Sequence, residues 1–338
     1  MTINVGLIGY GYWGPNLARN IQATDGLRLA AIADCDPSSQ ERAAAAWPQS
    51  QILSGANELI EGKGVDAIVI ASPVHRHAEH ALAALRSGRH VLVEKPMVTK
   101  SEDALLLIEE ADKRQLTLMV DHTFVYHGAI RKIRQLLDQD HLGKLLYYDS
   151  VRINLGLFQS DVDVLWDLAA HDISIMSYLI GKSPSTVSCI GQRHFENTPT
   201  NMAYLTMLFE DGLIAHTHVN WLSPVKLRRT LIGGDRRMVI YDDLDPDEKV
   251  KIYDRGVSIQ TAPRLPTEKK VDYRTGDIAI PALDRTEALT RVVSHFRDCI
   301  RSGCKPETGG PEGLEVVRIL ETAQQSLTRQ GQSVPLLG

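Results

Sequence analysis

The first strand-like run of this chain ends in a glycine pattern that few folds accommodate. INVGLIGYG opens the sequence with an apolar run, residues 9–14 read GYGYWG, and a helix-like GPNLARNIQA follows. Each glycine of this G-x-G-x-x-G spacing has a mechanical reason. Gly9 permits a tight turn, Gly11 lets the backbone approach a pyrophosphate, and Gly14 lets the helix pack closely on the strand. The helix N-terminus then presents free N–H groups and a partial positive charge to the phosphates. At the head of a strand–helix series, the pattern predicts a dinucleotide site that includes Gly9, Gly11, Tyr12, Trp13 and Gly14.

The rest of the first 121 residues keeps that series going. LRLAAIADCD, VDAIVIASP, HVLVE and LTLMVDH are strand-like, and helical segments such as HRHAEHALAALRSG and SEDALLLIEEADKRQ separate them. Strands alternating with helices predict βαβ units and a parallel sheet, a Rossmann dinucleotide-binding domain over 1–121. From residue 122 the rhythm changes to consecutive strand-like runs with turn signals such as Glu210-Asp211-Gly212. The helices GAIRKIRQLLDQDHLGK, VLWDLAAHDISIMSYLIG and GPEGLEVVRILETAQQSLTRQG punctuate them. The fold class is therefore α/β with a second, α+β domain over 122–338 whose sheet is mostly antiparallel.

Composition narrows the partners. Lys plus Arg is 37 against 42 for Asp plus Glu, a net charge of -5, which argues against nucleic acid or an acidic membrane surface. No apolar run approaches the ~20 residues of a membrane span, and Met1–Asn4 leads directly into a strand, so a cytoplasmic chain is expected. Cys35, Cys189, Cys299 and Cys304 show no C-x-x-C spacing and are expected to be plain thiols. His75, His77 and His80 lack companion ligands at metal-site spacing, so no metal is expected.

Asp34 ends the second strand twenty residues after Gly14, where a carboxylate accepts hydrogen bonds from an adenosine ribose diol. With Asp36 beside it and no adjacent arginine, the loop favours NAD over NADP; Asp34–Pro37 also reads as a simple turn. Ser72, Pro73 and His77 follow the next long strand at its C-terminal end, the ligand side of such sheets, and can line the cofactor. HVLVEKP places Glu94 and Lys95 at another such end. Pro96 fixes the backbone and keeps Lys95 out of helical conformation. A lysine there can hold a substrate hydroxyl. In WDLAAHDIS, Asp167 and His171 are i and i+4 on one helical face, and a carboxylate that orients an imidazole suits a general base.

Together GYGYWG, EKP and the Asp-x-x-x-His helix resemble the glucose-fructose oxidoreductase/inositol dehydrogenase/MocA family over essentially the whole chain. The bulky DVLWDLAAH departs from the glycine pair that many members carry before this aspartate. The resemblance implies a catalytic group of Lys95, Asp167 and His171, with Glu94 at the nicotinamide ribose and a cis Lys95–Pro96 bond. His171 would take the hydroxyl proton, Lys95 would polarise that hydroxyl, and Asp167 would orient the site. It also implies an open-faced second sheet and a homodimer or homotetramer. GYGYWGPNLARN, WDLAAHDISIMSYLIG and NWLSPVKLRR look like sugar-nucleotide oxidoreductases acting at C3. A substrate set of Lys95, Tyr126, Arg152, Asn154, Trp166, His171, Trp221, Lys226 and Arg228 would supply cations for a pyrophosphate and flat surfaces for a base or sugar. Alternatives are a free sugar or inositol-like polyol as substrate, or a non-catalytic dinucleotide-sensing regulator, which would need none of Lys95, Asp167 and His171.

Overall fold

The computed structural model describes residues 2–156, 162–261 and 269–337. The chain forms two compact units, Met1–His127 with Thr286–Glu321, and Gly128–Arg285 with Thr322–Gly338. The first unit runs six residues past the expected 121 and takes in a later segment as well. Residues 286–321 return to the first unit, because the helix Ala288–Ser302 buries Leu289, Val292, Val293 and Phe296 there. Arg19 of the first helix holds Glu287 at 2.7 Å, and Thr290 bonds Asn20 at 2.7 Å.

The first unit is built on six parallel strands: β1 (Ile3–Ile8), β2 (Leu27–Ala33), β3 (Gln51–Leu53), β4 (Ala67–Ile70), β5 (His90–Glu94) and β6 (Leu118–Asp121). Their order is β3-β2-β1-β4-β5-β6. Every residue of β4 and β6 is buried, as expected for a parallel sheet covered on both faces, and this is why the strands read as unbroken apolar runs. The strand order reverses between β1 and β4, and the crevice at such a reversal is where ligands bind in open α/β sheets.

The second unit carries a nine-stranded sheet. In chain order its strands are β7 (Leu145–Leu155), β8 (Thr186–Gln192), β9 (Met202–Leu208), β10 (Ile214–Asn220), β11 (Leu222–Gly234), β12 (Met238–Asp242) and β13 (Val250–Tyr253). A separate two-stranded ribbon, β14 (Gly256–Thr261) with β15 (Lys269–Arg274), comes next. The short β16 (Ile278–Ala279) and β17 (Val334–Pro335) complete the large sheet, ordered β16-β13-β12-β11-β7-β10-β9-β8-β17. All its pairs are antiparallel except β7 with β10. Burial alternates along β9 and β10, so one face is packed and the other is open. Ile190, Tyr204, Leu208 and Ile214 are 42–64% exposed on that open face.

β11 does not pair evenly with β7. Leu222 faces Leu155 and Leu227 faces Ile153, so Ser223–Lys226 bulge opposite Asn154. Pro224 explains the break, since proline cannot donate to a ladder and enters sheets at bulges. All four cysteines are free thiols, with the sulfurs of Cys299 and Cys304 3.4 Å apart. Among the described residues no helix is long and apolar enough to cross a membrane.

Candidate functional site

The glycine loop between β1 and the helix Gly14–Ala23 has the shape a dinucleotide needs. Gly9 has φ +95°, and a Cβ there would meet the Ala71 carbonyl oxygen at 2.5 Å. A Cβ on Gly14 would meet the Gly9 oxygen at 2.4 Å, whereas Gly11 faces open space. Close packing at the outer two glycines and clearance at the middle one are the division of labour required by a pyrophosphate cradle. The helix begins with Pro15 in its first turn and no side chain caps it, so no side chain competes with an anion for its N-terminus. Tyr12 is 91% exposed beside them.

Asp34 stands at the end of β2 with its carboxylate oriented by two backbone amides. Tyr10 N donates to Oδ2 at 2.6 Å and Asp36 N to Oδ1 at 2.8 Å. Arg42, one turn into the next helix, was not anticipated from the sequence. Its guanidinium donates to the Ser39 hydroxyl at 2.8 Å, to the Ser38 hydroxyl at 3.1 Å and to the Tyr10 carbonyl at 3.5 Å. The loop therefore holds a carboxylate suited to a ribose diol with a cation close behind it. Asp34→Ala is expected to weaken NAD binding about ten- to hundredfold, the worth of charge-assisted hydrogen bonds. It should also improve relative NADP affinity, because a 2′-phosphate would then meet Arg42 without Asp34. Nucleotide titration by fluorescence checks both, and an unchanged NAD:NADP ratio would contradict the assignment.

At the end of β4, Ser72 is half-buried and Pro73 exposed. His77, expected to line the cofactor, instead braces two loops. It is 2% exposed, with Nδ1 2.9 Å from the Pro96 carbonyl and Nε2 2.8 Å from the Ser72 carbonyl. Burial pushes its pKa down, partly opposed by those carbonyls. Its ring nitrogens are thus engaged in tying β4's loop to the Glu94–Pro96 turn, which is a correction to its expected role. The Lys95–Pro96 bond is cis, Lys95 is half-buried, and Lys95 N donates to Glu94 Oε2 at 3.2 Å. Tyr126, expected at the substrate, is likewise a core residue: it is 1% exposed, with its hydroxyl 3.0 Å from Thr308 Oγ1 and its ring 5.7 Å from that of His295.

In the second unit the Asp-x-x-x-His segment begins as a π-helical turn, Leu165–Ala169, and continues as the α-helix Ala170–Ile180. Such widened turns recur at functional sites. Asp163 caps the start, accepting from Leu165 N at 2.9 Å and Trp166 N at 3.2 Å. Trp221 Nε1 donates to Asp167 Oδ2 at 3.0 Å. Trp221 is itself 1% exposed, and its backbone bonds Asn201 O at 3.0 Å and Gly156 N at 2.9 Å. Trp221 is therefore not a stacking surface for a ligand but the rigid donor that orients Asp167. His171 is half-buried, and its carbonyl receives the Ser174 hydroxyl at 2.8 Å.

Two expected substrate cations are used internally. Arg152 Nε meets Asp172 Oδ2 at 2.6 Å, both side chains being 3% exposed. A buried charge without its partner costs several kcal/mol, so Arg152 belongs to the core and not to the substrate set. Arg228 NH1 reaches Asp243 Oδ2 at 3.3 Å. Lys226 is exposed on the bulge, Asn154 is half-buried opposite it, and Trp166 is half-buried on the π turn. Among the described residues no cluster of three or more His, Cys, Asp or Glu is placed to hold a metal ion.

Residues 3–122 match the oxidoreductase family with NAD-binding Rossmann fold, and residues 130–240 match the GFO/IDH/MocA C-terminal domain. A UDP-N-acetylglucosamine 3-dehydrogenase of Acidithiobacillus ferrooxidans is 30% identical over 298 residues, 87% of this chain and 90% of that one. Inositol 2-dehydrogenase 2 of Saccharopolyspora erythraea is 31% identical over 231 residues, 65% of this chain and 67% of that one. A solved structure of the Acidithiobacillus ferrooxidans UDP-N-acetylglucosamine 3-dehydrogenase superposes with a TM-score of 0.81 at 25% identity, covering 98% of this chain and all of that one.

Proposed function

Because the chain belongs to the glucose-fructose oxidoreductase/inositol dehydrogenase/MocA family of NAD-binding oxidoreductases, we propose that it oxidises or reduces C3 of a nucleotide-linked sugar. The observation that carries this reading is the Asp167 carboxylate, held by the Trp221 N–H one helical turn before His171. A carboxylate fixed by a buried donor four residues before a histidine suits a proton-transfer site. A sensor of dinucleotides needs neither residue, nor Lys95.

Bound NAD supplies a hydride acceptor at nicotinamide C4, and the glycine cradle, Asp34 and Glu94 hold and orient it. Lys95 polarises the substrate hydroxyl, His171 removes its proton during oxidation and returns it during reduction, and Asp167 keeps the imidazole in register. Lys226, Asn154 and Trp166 remain as substrate contacts. The nucleotide-sugar assignment draws on the 3-dehydrogenase relative. The internal pairing of Arg152 and Arg228 favours a second reading, an inositol-like polyol, which needs no cations for a pyrophosphate.

The deciding experiment follows reduced-nicotinamide absorbance with NAD across a panel of UDP- and dTDP-sugars, free sugars and inositols. Turnover confined to nucleotide sugars supports the first reading, and turnover confined to free polyols replaces it with the second. The same reading includes self-association through the open face carrying Ile190, Tyr204, Leu208 and Ile214, an apolar surface of the kind that marks an interface. A monomer in light scattering at assay concentration would remove that part.

A further inference from the structure

The C-terminal ends of β5 and β6 hold an unusual concentration of buried polar atoms. Glu94 and Asp121 face each other in register on these parallel strands, so their side chains leave the sheet on one face. Asp121 and the following His122 are each 1% exposed. Glu94 Oε1, Asp121 Oδ2, both ring nitrogens of His122 and Trp13 Nε1 are buried without a well-formed hydrogen bond, five of the thirteen such side-chain atoms among the described residues.

The remaining oxygens are spoken for. Thr123 Oγ1 donates to Asp121 Oδ1 at 2.6 Å, and Lys95 N donates to Glu94 Oε2. Glu94 Oε1 and Asp121 Oδ2 are the oxygens left without a partner at these paired strand ends, and two ionised carboxylates have no hydrogen to place between them. We propose that Glu94 and Asp121 share one proton and act as a single monoanionic pair that positions Lys95.

Burial raises the pKa of Glu94 and the charge of Asp121 raises it further, while burial also raises that of Asp121. Few groups face the pair. Lys95 lowers both carboxyls through its charge, Thr123 and the Trp13 indole lower Asp121, and His122 is pushed down to about 3 by burial and by Lys95. His122 is thus neutral, and one proton on the pair leaves one negative charge to meet the lysine ammonium. Two bare carboxylates would instead repel each other in a buried site. The link to Lys95 rests on the catalytic role proposed above; the shared proton does not.

Infrared difference spectroscopy of the full-length protein at neutral pH tests the proton directly. The wild-type-minus-Asp121→Asn spectrum should contain the carbonyl band of a protonated carboxylic acid, because the asparagine amide donates to Glu94 and its proton is released. A difference spectrum without that band overturns the pair.

Stability gives an independent check. A carboxyl whose pKa is raised on folding stabilises fully below its unfolded value, and the contribution is lost as pH rises through the folded value. Asp121→Asn should therefore melt higher than wild type near neutral pH, by on the order of 2–4 °C, and show no gain below the ordinary carboxylate range. Parallel melting curves across pH would contradict the proposal.

For the positioning role, Asp121→Ala should lower kcat about tenfold with NAD affinity unchanged, and Asp121→Asn should recover most of the loss. A tenfold loss in both variants, or in neither, overturns the connection to Lys95. An infrared band that persists alongside a silent Lys95→Ala would instead show that the role given to Lys95 is the part that failed.

Discussion

Lys95→Ala is expected to lower kcat by about two to three orders of magnitude, the usual loss when one charged donor to a reacting oxygen is removed, while NAD binding changes by no more than about threefold. The structure separates these two effects. The pyrophosphate cradle and Asp34 lie at the β1 and β2 ends, two or more strands from β5 in the sheet order. Lys95 sits on the turn after β5, where the His77 ring braces the Pro96 carbonyl. Its half-buried position makes its charge effective, since low local dielectric strengthens an ammonium acting on a developing alkoxide. Lys95→Arg restores charge but not reach or point-like geometry, so it should recover little. Stopped-flow measurement of nucleotide binding alongside steady-state turnover distinguishes the outcomes. Near-normal turnover in Lys95→Ala would remove the lysine from the mechanism, and a parallel collapse of NAD binding would recast it as a cofactor contact.

The first unit was legible in the sequence because a sheet buried on both faces writes itself as apolar runs, and its glycine loop has a spacing with one main mechanical use. The misassigned residues share a different property, in that their partners are distant in the chain. Arg152 reads as a polar residue on an open strand until folding brings Asp172 to it. Trp221 reads as an aromatic surface until its indole N–H is found on Asp167, 54 residues away. Tyr126 follows a strand end on the ligand side, yet Thr308, 182 residues later, takes its hydroxyl into the core. Residues 288–302 form a helix that buries one face, but periodicity carries no address, and the helix packs in the first unit. Asp121 was visible as the acid next to last in LTLMVDH. Its importance depends on strand order, which places β6 beside β5 and the acid opposite Glu94.

His171→Asn is expected to cost about two to four orders of magnitude in kcat, the range assigned to a positioned general acid or base, and to change the shape of the pH–rate profile. The sign follows from the direction of reaction. During oxidation the imidazole must be neutral to accept the hydroxyl proton, so wild-type activity should fall on the acid side, where the ring already carries a proton. During reduction the protonated ring donates, and activity should fall on the alkaline side. The asparagine variant keeps a polar side chain of similar reach but does not titrate, so both limbs should flatten to a low, nearly constant rate. Asp167→Asn should act differently. It keeps the bond from Trp221 Nε1 to a side-chain oxygen but removes the negative charge that steadies an imidazolium, so both limbs should remain and the oxidation limb should shift to lower pH. If His171→Asn retains the wild-type profile, the proton goes elsewhere. If Asp167→Asn leaves the profile where it was, the carboxylate held by Trp221 serves the fold of the π-helical turn and not the proton.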